Sequence, residues 1–82
     1  MTAVRVVVAT GCHLCPAAVD AARSACAHRG IRLEIVDIDG DVDLERRYRE
    51  MIPVVEVDGV EVARFFADEA VILAAIDARA GR

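Results

Sequence analysis

Several features that mark other classes of protein are missing from this sequence of 82 residues. Positive charge is not in excess, because ten arginines stand against fourteen acidic residues, and a net charge of −4 would repel the phosphates of nucleic acid. No apolar run approaches the ~20 residues that cross a bilayer, and the first residues lack the basic head and apolar core of a secretion signal. We therefore expect a soluble cytoplasmic protein with neither a nucleic-acid nor a membrane partner.

Linkers, internal repeats and low-complexity segments are also missing, and the length allows one compact domain but not two. Hydrophobic residues make up 56% of the chain, which is ample for the core of a small domain. We expect a single domain over residues 1–82 and a monomer. Three cysteines are an odd number, which excludes a closed framework of internal disulfides. In a cytoplasmic chain such thiols stay reduced unless they are catalytic or bind a metal.

The first half of the chain predicts a strand, a helix and a second strand. Residues 3–9 form a β-branched run with almost no polar alternation, as expected for a strand buried on both faces. Apolar residues at intervals of three and four predict an amphipathic helix over Cys15–Arg29, which stops at Gly30. Residues 31–39 place apolar side chains on one face of a second strand. These are Ile31, Leu33 and Ile35. A strand, helix and strand in this order imply parallel pairing through a right-handed crossover.

The acidic turn after the second strand predicts the start of a short second helix that runs to about Glu50. Asp41 or Asp43 can cap this helix, since acidic side chains suit a helix start and arginines suit its end. Pro53 closes the helix, because proline lacks the N–H that a helix interior needs. We expect the acidic run of this region to form a solvated loop, which comprises Asp37, Asp39, Asp41, Asp43 and Glu45.

The end of the chain predicts a hairpin and a third helix. Residues 54–57 and 60–65 flank Asp58-Gly59, a pair typical of turns that need positive φ at both central positions. Asp68 precedes a helix over residues 69–80. Its apolar stripe consists of Val71, Ile72, Ala75 and Ile76. The predicted fold is therefore α/β in the order β-α-β-α-β-β-α, with a four-stranded mixed sheet and helices on both faces.

The residues that can carry chemistry lie between the first strand and the first helix, in Gly11-Cys12-His13-Leu14-Cys15-Pro16. Two cysteines three positions apart at a helix start are one turn apart, within the ~4.4 to 6.8 Å between Cα atoms that a disulfide tolerates. Cys12 lies at the positive end of the helix dipole, where free N–H groups stabilise a thiolate and lower a thiol pKa from ~8.5. We predict that Cys12 is the nucleophile and that Cys15, facing the core, is the resolving thiol.

A pair of cysteines at this spacing is also half of a zinc site, and Cys26 and His28 bring the candidate ligands to four. If the stretch between them is helical, Cys15 and Cys26 are ~16 Å apart, which is too far to share one ion. We therefore expect no metal site within one chain. A dimer that shares a metal or an iron-sulfur cluster across two pairs of Cys12 and Cys15 remains an alternative.

The other candidate ligands have simpler interpretations. We expect Cys26 to be a small buried hydrophobe, and His28 to interact with the dipole at the end of the first helix. We expect His13 to be exposed, where it either lowers the pKa of Cys12 or only solvates the loop.

A strand, Cys12-x-x-Cys15-Pro16, a helix, and then Ile52-Pro53-Val54 ahead of an Asp58-Gly59 hairpin resemble the glutaredoxin branch of the thioredoxin fold. The resemblance covers essentially the whole chain and is closest to the short glutaredoxin-like proteins of bacteria. It implies a cis peptide bond before Pro53, a proline that faces the cysteine pair, and outward N–H and C=O groups of Ile52 that pair with an extended substrate. The residues that the resemblance assigns to substrate binding are Gly11, His13, Leu14, Ile52 and Pro53.

The sequence also departs from the glutaredoxin pattern. His13-Leu14 replaces the usual Pro-Tyr or similar pair, and no lysine precedes the motif. The glycine pair of the family, and the aspartate that holds the amino end of glutathione, fall here on Ala63-Arg64 and Phe66. Asp68 and Glu69 come a couple of residues later. The use of glutathione therefore stays open, and another low-molecular-weight thiol is a candidate co-substrate.

The leading hypothesis is a thiol-disulfide oxidoreductase in which Cys12 attacks a disulfide, Cys15 resolves the mixed disulfide, and Ile52 with Pro53 positions the substrate. No bound cofactor is expected beyond the redox-active disulfide itself. The expected partners are disulfide-containing proteins or small thiols. Two alternatives remain open, namely a metal or iron-sulfur cluster binding module that uses Cys12 and Cys15, and a redox-inert interaction domain of the same fold.

Overall fold

A computed structural model describes residues 2–79, and its elements follow the predicted order. In chain order they are β1 (Ala3–Val8), α1 (Cys15–Arg29), β2 (Arg32–Asp37), α2 (Val42–Tyr48), β3 (Val54–Val57), β4 (Val60–Arg64) and α3 (Glu69–Arg79). The predicted last position of the third helix, Ala80, lies outside the described residues. None of the helices in residues 2–79 is both long enough and apolar enough to cross a membrane.

The four strands form one mixed sheet in the order β2-β1-β3-β4. β1 and β2 are parallel and are joined through α1, as the strand, helix and strand pattern predicts. β3 is antiparallel to both β1 and β4. Val54 pairs with Val7 on one side and with Arg64 on the other. The end of β1, the start of β3 and the end of β4 therefore meet at one end of the sheet, which we call the cysteine end.

Helices cover both faces of the sheet, so the predicted fold class is confirmed. α1 and α3 pack on one face, over a buried cluster that includes Val4, Val6, Val55, Ile72 and Ile76. α2 lies on the other face, over a smaller cluster. Its buried members are Val7, Ile38, Tyr48 and Val54. Alternate residues of β1 and β3 thus serve two cores, which explains why these strands contain so little polar sequence.

Two of the predicted apolar faces are less buried than the sequence suggests. β2 is shorter than predicted, and Ile35 is 42% exposed because this edge strand pairs only with β1 and its face is incompletely covered. On α3, Ile72 and Ile76 are buried, but Val71 is 47% exposed. Val71 directly precedes Ile72, so its side chain points to a different side of α3 and lies at the edge of the buried stripe. The buried stripe is therefore narrower than predicted.

The ends of the helices follow local sequence signals. Gly30 adopts a left-handed conformation with φ 64° at the end of α1, and its N–H donates to the Cys26 carbonyl. At the start of α2 the Asp41 carboxylate accepts hydrogen bonds from the N–H groups of Asp43 and Leu44, both at 3.1 Å. Of the two aspartates that the sequence offered as the cap, Asp41 is therefore the one that caps α2. α2 ends at Tyr48, two residues before the predicted end.

Asp58 ties several parts of the chain together at the end of the sheet opposite the cysteine end. Its carboxylate accepts a hydrogen bond from the Ala3 N–H at 2.8 Å, and its own N–H donates to the Ala3 carbonyl at 2.9 Å. The Arg79 guanidinium lies 3.7 Å from the same carboxylate. Asp58 and Gly59 both have positive φ, 51° and 82°, as the hairpin signal requires.

Candidate active site

The two cysteines of the predicted motif lie together at the start of α1. Cys12 is in the turn after β1, where its N–H donates to the Ala9 carbonyl at 3.4 Å, and Cys15 is the first residue of the helix. Their sulfur atoms are at disulfide-bonding distance, with 5.4 Å between the Cα atoms. Cys12 is partly exposed, whereas Cys15 is only 5% exposed. Cys12 is therefore more accessible from solvent than Cys15.

The start of α1 is electrostatically suited to a negative charge. Leu14 stands at the N-cap position and provides no side-chain hydrogen bond, and the first turn contains no acidic residue. The N–H groups of the first turn thus keep their partial positive charge for an anion beside them. Pro16 fits here because the first turn does not need its missing N–H. A negative charge placed beside this helix start would be stabilised by these N–H groups.

Two aspartates at and just after the end of β2, Asp37 and Asp39, hold the loop that leads to Cys12. The Thr10 N–H donates to the Asp39 carboxylate at 2.9 Å, and the Asp39 N–H donates to Asp37 at 2.8 Å. Hydrogen bonds from the hydroxyl and then the N–H of Thr10 lower the pKa of Asp39. Gly11 follows with φ 80°, a conformation that favours glycine. Asp37 and Asp39 are exposed, as predicted for this acidic run, and they also hold the loop before Cys12 through these hydrogen bonds.

Pro53 and Ile52 lie at the same end of the sheet as the cysteines. Val7 pairs with Val54, so the residues that follow β1 and those that precede β3 are neighbours. The peptide bond between Ile52 and Pro53 is cis, and Pro53 is buried. Ile52 is partly exposed, and no hydrogen bond within residues 2–79 involves its backbone N–H or C=O. These two groups can pair with a strand that approaches from outside.

Two aromatic residues that we did not predict as site residues complete this end of the molecule. Phe65 directly follows β4, and its N–H donates to the Pro53 carbonyl at 2.8 Å. Phe65 is 39% exposed and Phe66 is 79% exposed. Leu14 and His13, between the cysteines, are also exposed. Two of the only three aromatic residues of the chain stand side by side after a hairpin strand, which is the sequence signal that could have indicated them.

An open groove of about 470 Å³ lies beside the cysteine pair. It is lined by the end of β1, by the cysteine loop and by the first half of α1, and it includes both cysteines. The two charged residues in its lining are Asp20 and Arg23. A larger groove of about 530 Å³ follows the surface of α2 and has no cysteine in its lining. Of these two grooves, the smaller one is lined by Cys12 and Cys15.

The remaining cysteine and the second histidine lie away from this site. Cys26 is buried among core residues of α1, and burial raises the pKa of its thiol. His28 lies in the last turn of α1, where we expect it to interact with the helix dipole, and its Nε2 is also 3.3 Å from the Glu69 carboxylate of α3. In the described part of the chain no three His, Cys, Asp or Glu side chains are grouped closely enough to hold a metal ion.

Comparisons with known proteins agree with this geometry. A family model described as Glutaredoxin-like domain (DUF836) matches residues 4–77. The X-ray structure of target protein XcR50 from X. campestris superposes with a TM-score of 0.76 and 32% identity, covering 93% of this chain and 97% of that one. The NMR structure of Ne2328 from Nitrosomonas europaea gives a TM-score of 0.74 and 30% identity, covering 92% and 91%. A comparison with curated proteins found no match.

Proposed function

The chain belongs to the glutaredoxin-like family (DUF836), and on that premise we propose that it is a thiol-disulfide oxidoreductase. The observation that carries the proposal is the unequal exposure of two paired sulfurs at the start of a helix. Cys12 is reachable from solvent and lies at the positive end of the dipole of α1, whereas Cys15 is buried directly behind it.

The reaction begins from the reduced protein. The Cys12 thiolate attacks one sulfur of a substrate disulfide, so that a bond forms between Cys12 and this sulfur while the other substrate sulfur leaves as a thiolate. Cys15, after losing its proton to solvent, then attacks the Cys12 sulfur and forms the internal disulfide. This second step releases the remaining substrate thiolate. Two electrons pass from the protein to the substrate, and the two released thiolates take up protons.

The residues around the sulfurs have supporting roles in this proposal. Ile52 offers its backbone N–H and C=O to the substrate chain, next to the buried Pro53. Gly11, His13 and Leu14 form the surface beside Cys12. No bound cofactor takes part, because the disulfide itself carries the electrons, and a low-molecular-weight thiol is the candidate reductant that opens it.

We further propose that the protein acts as a cytoplasmic reductase and a monomer, on disulfides of proteins or small thiols. The cytosolic thiol pool keeps most dithiols reduced, which sets this direction. The net charge of −4 argues against nucleic acid as a partner.

Single cysteine variants test the role of each sulfur. Cys12→Ser should abolish reduction of hydroxyethyl disulfide, because the attacking thiolate is lost. Cys15→Ser should accumulate a mixed disulfide at Cys12, seen as a mass increase of the intact protein. Cys26→Ala is the matched control and should keep the parent rate, since Cys26 is buried outside the site. A Cys12→Ser protein as active as the parent would falsify the assigned roles.

Two further measurements separate the proposal from its alternatives. The rate of Cys12 alkylation should rise with pH. The midpoint of this rise should give a thiol pKa below ~8.5, as expected at a helix start. An ordinary pKa together with no turnover would favour a redox-inert interaction domain. Metal or iron in stoichiometric amount, with both thiols protected from alkylation, would favour a cluster-binding module.

A further inference from the structure

We infer that the surface around Cys12 selects extended polypeptides that carry apolar side chains next to their disulfide, through contacts with Leu14, Phe65 and Phe66. This inference rests on the proposed function and names its substrate class. It follows from the position, the exposure and the backbone conformation of the aromatic pair, together with the charges around it.

The position of the aromatic pair is fixed by main-chain hydrogen bonds. The Phe65 N–H donates to the Pro53 carbonyl at 2.8 Å, and the Phe66 N–H donates to the Arg64 carbonyl at 2.7 Å. The pairing of Val54 with Arg64 brings the end of β4 to the cysteine end of the sheet. The two phenylalanines therefore follow the strand that flanks Pro53, and Leu14 lies between the two cysteines at the same end.

Packing among residues 2–79 leaves this apolar surface exposed. Phe66 is 79% exposed, Phe65 39% and Leu14 37%, and none of the three belongs to either buried core. Phe65 also has a positive φ of 66°, which is unfavourable for a bulky side chain and common where function requires a special conformation. Exposed aromatic residues beside a reactive group are typical of surfaces that bind another polypeptide.

The charged side chains next to the aromatic pair already have partners within the chain. The Arg64 guanidinium binds the Glu61 carboxylate through two hydrogen bonds of 2.9 and 3.0 Å. The Asp68 carboxylate accepts a hydrogen bond from the Ala70 N–H at 2.9 Å. A small thiol recognised by its charged ends would compete with these contacts. An apolar side chain on a peptide would not.

The free main-chain groups of Ile52 favour an extended peptide as the bound substrate. The N–H and C=O of Ile52 make no hydrogen bond within residues 2–79. Ile52 precedes β3, which lies between β1 and β4, so it falls between the cysteine loop after β1 and the aromatic pair after β4. An extended peptide can pair with these groups while its side chains reach Leu14 on one side and the phenylalanines on the other. Such a peptide brings its own disulfide to Cys12.

Three disulfide substrates test the inference with the reduced protein. Two are symmetric peptide disulfides of equal length, whose single cysteine is flanked either by leucines or by glutamates, and the third is hydroxyethyl disulfide. The wild type should reduce the leucine peptide with a kcat/KM about tenfold higher than the glutamate peptide. Phe66→Ser should bring this ratio close to one, and the conservative Phe66→Leu should retain most of it.

Val60→Ser serves as the matched control, because Val60 is 49% exposed at the hairpin tip, at the other end of the sheet. It should keep the wild-type ratio. The inference is overturned if the wild type does not prefer the leucine peptide, or if the preference for it survives in Phe66→Ser. In either case the proposed function still stands, provided that the peptides are reduced. If the wild type reduces none of the three disulfides, the proposed function and the inference both fail.

Discussion

At the scale of single residues, the Glu56 carboxylate is buried on the sheet face that α2 covers. The Tyr48 hydroxyl donates to the Glu56 carboxylate at 2.8 Å, and both side chains are buried. Arg5, the cross-strand neighbour of Glu56, places its Nε 3.4 Å from the other carboxylate oxygen. The carboxylate is thus buried between a phenol and a guanidinium, where each partner reduces the cost of removing it from water.

The titration of Tyr48 tests this contact. Burial, followed by the hydrogen bond to Glu56, raises the pKa of Tyr48 above its ordinary value of about 10. The folded protein then binds this proton more tightly than the unfolded chain does. The stabilisation is complete below pH ~10 and is lost as the pH rises through the folded pKa. Tyr48 is the only tyrosine and the chain has no tryptophan, so the ultraviolet absorbance of phenolate reports Tyr48 alone.

Removal of the hydroxyl provides a second measurement on the same contact. Tyr48→Phe leaves the buried Glu56 carboxylate without one donor and should lower the free energy of unfolding by about 1–3 kcal/mol at neutral pH. It should also reduce the loss of stability at alkaline pH. A phenol that titrates at its ordinary pKa in the folded protein would contradict the buried contact.

The sequence indicated some of these residues and not others, for physical reasons. Cys12 and Cys15 were predictable because their spacing and their place before a helix are local signals. Glu56 was not, because a single acid within a valine strand usually points to solvent, and only the packing of α2 buries it. The left-handed conformation of Phe65 lies at the centre of a tight turn that the Phe66 N–H closes on the Arg64 carbonyl, and two phenylalanines are not a sequence signal for such a turn.

At the scale of elements, the short helix α2 depends on its first residues for stability. A helix of seven residues is marginal by itself, so its cap and its contacts with the sheet must hold it. Asp41 satisfies two N–H groups of the first turn. The same helix supplies Tyr48 to the core and leads into the segment with Ile52 and Pro53. Its stability thus affects the surface beside Cys12.

Replacement of the cap tests this dependence. Asp41→Ala should lower the free energy of unfolding by about 1 kcal/mol, because two N–H groups lose their acceptor. Asp43→Ala is the matched control, since Asp43 was the other candidate cap but only its N–H takes part in the capping contact. It should cost no more than about 0.5 kcal/mol, from the weaker interaction with the helix dipole. Urea titrations of the two variants measure the difference, and equal losses would contradict the assignment of the cap.

The elements themselves were largely predictable, because their signals are local. Gly30, Asp41 and the Asp58-Gly59 turn each mark a boundary through the conformation or hydrogen bond that they favour. The errors concern burial, as with Ile35 and Val71. Which strand lies at the edge of the sheet, and how wide a stripe a helix buries, depend on the assembled sheet rather than on any one segment.

At the scale of the whole molecule, the disulfide contributes little to holding the fold together. It joins residues only three positions apart and therefore restrains few conformations of the unfolded chain. Two buried clusters and a four-stranded sheet stabilise the protein independently of it. The oxidised and reduced proteins can therefore share one fold, which suits a group that cycles between the two states.

Reduction of the protein tests this independence. Urea titrations with and without reductant should give free energies of unfolding that differ by at most about 2 kcal/mol. The far-ultraviolet circular dichroism should be the same in both states. The double variant with Cys12→Ser and Cys15→Ser should match the reduced protein. Loss of cooperative unfolding on reduction would show that the fold depends on the disulfide.

The contacts of Asp58 determine from which side the molecule can be attached to something else. Ala3, near one end of the chain, and Arg79, near the other, both contact this aspartate. The six residues of β1 separate this point from the cysteine end by ~20 Å. A fused domain, an affinity tag or a chemical linkage to a solid support, joined next to Ala3 or Arg79, would therefore start on the side opposite Cys12. A linkage made at either of these positions leaves Cys12 at the far end of the sheet from the point of attachment.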